Sequence, residues 1–139
     1  MHRIQRLTAG LVVLAFAAVN VSAADAASSP QAKAYEAHQK AIAAGDYKAF
    51  RDTMSKPALA EIDKQNKEMG LDPKKMMAMM KELAPTDLKF TGLKVDGKKA
   101  TLEATGKMGG EMNWGTIEMD QEDGQWKLTK ESWTNTKKK

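Results

Sequence analysis

The hydrophobic pattern changes period once along this chain, at Pro85. Before it, apolar residues recur at intervals of three and four; after it, they alternate. Ser28-Ser29-Pro30 reads as a helix cap followed by an early-turn proline. From there Ala34, Tyr35, His38, Ala41 and Ile42 share one side of a predicted helix that stops at Gly45. Asp46 caps a short second helix pointing Tyr47, Phe50 and Met54 one way. Pro57 opens a third, with inner stripe Leu59, Ile62, Asn66 and Met69 and a stop at Gly70. Asp72-Pro73 begins a fourth, which runs to Ala84. All 4 prolines therefore sit where helices start or end.

Beyond Pro85, Leu88 and Phe90 share a face, and then Leu93 and Val95 take over. That phase slip at Thr91-Gly92 predicts a β-bulge. Asp96-Gly97 is a hairpin signal. Ala100, Leu102, Ala104 and Met108 then alternate with Thr101, Glu103, Thr105 and Lys107. Gly109-Gly110 turns the chain into a third strand, Glu111 to Asp120, in which Ile117 and Met119 oppose Glu118. Asp123-Gly124 leads into a fourth, with Trp126 and Leu128. Gly92, Gly106 and Gly115 fall inside strands, where they permit sharp curvature. The pattern predicts an α+β fold: N-terminal helices packed on a strongly curved, four-stranded antiparallel sheet.

The N-terminus follows neither period. Arg3 and Arg6 precede an uncharged run from Leu7 to Val19, and Val21-Ser22-Ala23 supplies small residues suited to a signal peptidase. That run of 13 residues is shorter than the roughly 20 needed to span a bilayer. The expected organisation is a cleaved signal peptide over 1–23, a short lead over 24–30, one domain over 31–134 and a basic tail over 135–139. An exported location, periplasmic or extracellular, follows, with no membrane span in the mature chain. Removing 23 of the 139 residues leaves 116, enough for one core. With 0 cysteines, neither a disulfide nor cysteine lipidation is available. Lys+Arg number 22 against 18 Asp+Glu. The leader arginines and the terminal Lys137-Lys138-Lys139 account for that excess, leaving no basic stripe suited to nucleic acid.

The remaining composition excludes more chemistry than it suggests. Processing leaves His38 as the one histidine, so zinc sites and serine triads lack ligands and partners. Neither a phosphate loop nor a dinucleotide fingerprint is present. No cofactor is expected. The 10 methionines are concentrated in "KKMMAMMKEL", where Met76, Met79, Met80 and Leu83 form a helical stripe that Met77 widens. The reading ranked first is a face packed on the sheet, with thioethers filling irregular gaps. The second is soft-metal binding of Cu(I) or Ag(I), since thioethers select such ions. Met112 beside Trp114 resembles the soft-cation sites of certain periplasmic copper and silver chaperones, although those also use a histidine. His38, with Tyr35 one turn before it, is the one acid–base candidate, ranked below a structural role. Trp114, Trp126 and Trp133 are read as core, with Trp133 nearest the rim.

"AIAAGDYKAFRDTM", "LKVDGKKATLEATG" and "GTIEMDQEDGQWKLTKESW" resemble segments of small exported bacterial members of the nuclear-transport-factor-2-like superfamily. The resemblance implies a cone made from a curved sheet wrapped round N-terminal helices. It implies no single activity, because the superfamily holds isomerases, dehydratases, transport adaptors and exported domains of unknown role. Such a cone would leave a pocket between the first helix and the sheet. Tyr35 and His38 are its expected polar lining, and Phe90, Leu102, Met112 and Trp114 its apolar wall. The expected function is a non-enzymatic domain binding an apolar small molecule or a protein partner. Soft-metal handling is the alternative, and an isomerase- or hydratase-like enzyme using His38 the third.

Overall fold

A computed structural model describes residues 19–137. Five helices precede four long strands, and a short additional strand lies at the beginning of the described chain. The elements are β1 (Val19–Val21), α1 (Ala23–Ala27), α2 (Pro30–Ala44), α3 (Tyr47–Asp52), α4 (Lys56–Met69), α5 (Pro73–Leu83), β2 (Thr86–Asp96), β3 (Lys99–Met108), β4 (Glu111–Glu122) and β5 (Gln125–Thr134). The α+β class and the segregation of helices from strands are as expected. The strand count is not: the sheet has five strands in the order β1-β2-β3-β4-β5, every neighbouring pair antiparallel, and it is open. The additional strand comes from the segment read as a leader, whose residues 1–18 lie outside the described residues, as do Lys138 and Lys139 of the tail. The segment read as a short lead holds α1, with Ala26 fully buried.

Helix boundaries follow local chemistry. The side chains of Ser29, Asp46, Ser55 and Asp72 each accept a hydrogen bond from a backbone N–H of the first helical turn, satisfying donors that a helix start leaves unpaired. Gly45 and Gly70 close α2 and α4 at φ of 67° and 63°, a left-handed conformation that costs glycine least.

Two apolar clusters result. The first lies between α1–α2 and the inner sheet face, from Ala26, Tyr35, Leu93, Ala100, Leu102, Ala104, Ile117, Met119 and Leu128. The second is helical: Ala41, Ile42, Phe50, Met76 and Met77. Helix α5 therefore packs on α2 and α3, not on the sheet as expected. Its buried face is Met76 and Met77, with Met80 partly buried, whereas Met79 and Leu83 are 46% and 66% exposed. On α4 only Ala58 is buried, and Met69, expected in its inner stripe, is exposed. The segment joining α3 to α4 ties the helices to the sheet: Ser55 N–H donates to the Leu128 carbonyl and Leu128 N–H to that of Thr53, both at 2.8 Å.

Candidate functional site

The inner face holds a polar network that begins on α2. Tyr35, His38 and Gln39 occupy successive turns of one helix face, so their polar ends reach the same part of the sheet. Opposite them on β5 is Glu131. Its Oε1 accepts from the Tyr35 hydroxyl at 2.6 Å and from Trp133 Nε1 at 2.7 Å. Gln39 Nε2 donates to the Tyr35 oxygen at 2.8 Å. Two charge-assisted bonds on one oxygen answer the desolvation of both the phenol and the indole.

At His38 the hydrogen bonds determine the tautomer. Thr53 Oγ1 donates to the Phe50 carbonyl at 2.6 Å, so it accepts from His38 Nδ1 at 2.8 Å. The proton is thus on Nδ1, and Nε2 is left as an acceptor. Nε2 stands 3.8 Å from Glu131 Oε2, beyond hydrogen-bond reach. Burial pushes the imidazole down to about 4, so His38 is neutral at pH 7 and this approach is not an ion pair. The Tyr35 hydroxyl is raised far above its ordinary range, first by burial and then by the Glu131 charge and the hydrogen bond to it. It remains a donor.

Rings close the space round these groups. Phe90 meets Tyr35 edge-on at 6.1 Å between centroids, and Phe50 lies 5.1 Å from His38. Tyr35 and Leu102 are 0% exposed and His38 2%, while Glu131 keeps 25% of its side chain in solvent. Four of the six residues expected to line a pocket (Tyr35, His38, Phe90 and Leu102) therefore come together on the inner side of the sheet. The network meets solvent at the Glu131 carboxylate and not at the imidazole.

Glu131 was missed, because the alternation Trp126, Leu128 projects Lys130 and Ser132 inward. A register shift intervenes: Glu118 pairs with Lys130, but Met119 with Leu128, so Thr129 is an extra residue. The phase reverses, and Glu131 and Trp133 face in. Trp133, at odd spacing from Trp126 and Leu128, carried that signal in the sequence. Its indole lies over Gly115 and Gly106, where an added Cβ would come within 2.7 Å and 3.4 Å of the ring. Those two glycines make room for an aromatic ring, beyond the curvature expected of them.

Met112 and Trp114 are elsewhere. The β3–β4 register is unbroken, pairing Leu102 with Ile117 and Thr105 with Trp114, so Met112 and Trp114 share the outer face with Glu118. This overturns their placement on a wall with Leu102. Trp114 is the one described aromatic residue that belongs to neither apolar cluster. Its cross-strand neighbours are Thr105 and Thr134, and Thr116 faces Ser132 beside it. Two concavities meet there. One, of about 390 Å³, is lined by Thr91, Glu103, Thr105, Trp114, Thr116 and Thr134 with Lys137. The other, of about 360 Å³, shares Trp114, Thr116, Thr134 and Lys137 and adds Ser132, Trp133 and Thr136.

Met54, Met76, Met77 and Met80 meet in or against the helical cluster, and Met69, Met79 and Met112 lie at exposed positions. Met76 and Met77 are enclosed among helices, and Asn66 Nδ2 donates to Met76 Sδ at 3.0 Å. Met79 and Met69 are exposed on α5 and α4, and Met112 is 48% exposed on the outer sheet face. Among the described residues, no group of three or more His, Cys, Asp or Glu could hold a metal ion, and no helix is long and apolar enough to cross a membrane.

No protein-family model matches the chain, and no curated protein matches it. Among solved structures it is similar to an NTF-2-like protein of unknown function from Burkholderia xenovorans LB400. The two are 18% identical, the match covers 79% of this chain and 87% of that one, and the TM-score is 0.46.

Proposed function

We propose that this protein is an exported, non-catalytic domain that binds a small molecule or a partner-protein segment on the outer face of its sheet. The placement of Trp114 supports this reading. Every other described aromatic residue belongs to or packs against a core cluster, whereas Trp114 does neither and lines two concavities that threonine and serine also line. A partly exposed aromatic ring among convergent polar groups has the character of a ligand site. The inner network has the groups of an acid–base site, but Tyr35, Gln39, Trp133 and His38 Nδ1 direct their hydrogen bonds to protein partners.

Native mass spectrometry of the protein recovered from its own compartment tests the proposal. A bound mass is expected, lost in Trp114→Ala without loss of folding. A bound mass that survives Trp114→Ala would move the site away from this groove. A silver or copper adduct abolished by methionine-to-leucine changes would favour soft-metal handling instead.

A further inference from the structure

The outer groove differs from a lipid or cofactor pocket in the chemistry of its walls. Around Trp114 stand Thr91 and Thr105 in one concavity, Ser132 and Thr136 in the other, and Thr116 and Thr134 in both. These neutral hydroxyls each donate and accept. Among the described residues that line the groove, the charged ones are Glu103 and Lys137. A lipid tail would cover the hydroxyls without pairing them, which is unfavourable for each one left unsatisfied. Among those described residues, a strongly charged ligand would find one countercharge. A hydroxylated ring suits both features: its C–H face lies on the indole, and its hydroxyls exchange hydrogen bonds with threonine and serine.

The concavities share Trp114 as the ridge between them, and each is large enough for a small-molecule unit, at about 390 Å³ and 360 Å³. The unbroken pairing of β4 with β3, and with β5 from Trp114 to Glu118, sets the spacing, since Trp114 is opposite Thr105 on one side and Thr134 on the other. On β2, the Glu103 carboxylate reaches over Gly92, where Oε2 would lie 3.2 Å from an added Cβ. We infer that the outer groove binds a neutral oligosaccharide, stacked on Trp114 and held by hydroxyls in two adjoining subsites. This deepens the proposed binding function and depends on it.

The test is an NMR titration of the full chain, read at the Trp114 indole N–H and the Thr105, Thr116 and Thr134 amides. The probes are cellotetraose, chitotetraose, tetramethylammonium and decanoate. A saturable shift with a tetrasaccharide is expected, with affinity reduced about tenfold or more by Trp114→Ala, the scale of one lost stacked contact. Unchanged amide dispersion in that variant would show that folding is intact. Shifts with tetramethylammonium or decanoate but with neither saccharide would overturn the ligand class while keeping the groove as a site. Shifts with none of the four would overturn both.

Discussion

His38 gives the molecule an acid-sensitive point. Its ordinary value near 6.5 falls to about 4 through burial, so below pH 6.5 the unfolded chain takes up a proton that the folded chain refuses. Stability associated with the neutral imidazole is therefore complete above about pH 6.5 and is lost as pH falls towards 4, by an amount on the order of 3 kcal/mol. Glu131, the carboxylate facing Nε2, is at 3.8 Å and forms no hydrogen bond that would offset this. Urea melts across pH 7 to 4 should show the decline, and His38→Gln should flatten it; equal slopes in both proteins would assign the effect to other groups. Tyr35→Phe addresses the other end of the network. It removes a donor from Glu131 and an acceptor from Gln39, with an expected cost of about 1–3 kcal/mol in the same melts. A neutral result would mean that water replaces the phenol at no cost.

The elements show which features alternation conveys and where it fails. Helix limits were legible because caps, prolines and αL glycines act locally: Ser29, Asp46, Gly45 and Gly70 each perform the predicted role. The bulge on β2 was legible because two apolar pairs, Leu88/Phe90 and Leu93/Val95, stand on either side of it. On β5 the apolar signal after the bulge is Trp133 alone, so the inward turn of Glu131 was not legible. Met112 and Trp114 failed for a different reason: their strand has one uninterrupted phase, and Ile117 and Met119 already define its inner side. The buried arc of α5 was shifted because its partners are helices, contributed by residues distant in sequence. Four substitutions test these packings. Gly115→Ala puts a methyl within 2.7 Å of the Trp133 ring, an overpacking expected to cost about 1–3 kcal/mol. Gly92→Ala meets the flexible end of Glu103 and should stay within about 0.5 kcal/mol. Met77→Lys should destabilise severely by burying an unpaired charge, whereas Met79→Lys, on the exposed side, should be nearly neutral; equal effects would mean that α5 is rotated.

At the scale of the whole molecule, β1 is the least necessary part of the sheet. It adds three residue pairs at the β2 edge, Val19 with Val95, Asn20 with Lys94 and Val21 with Leu93. Val19 is 58% exposed, and only Val21 packs against the core. Fixing each residue's backbone costs about 1–2 kcal/mol, comparable with what one half-buried valine returns. Helix α1 is different, because Ala26 is fully buried in the main cluster beside Tyr35 and Leu93. If export removes residues 1–23, the mature protein retains α1 and loses a strand that contributes little. A chain beginning at Ala24 should therefore fold and melt only a few degrees below one beginning at Val19, the loss including the Ser22 cap of α1. A chain beginning at Pro30 should fall much further, as Ala26 leaves a gap under the sheet. Intact-mass analysis of exported protein should find Ala24 or Asp25 at the N-terminus. Failure of the Ala24 chain to fold, or exported protein still carrying Val19, would make β1 an integral strand and place the end of the leader before it.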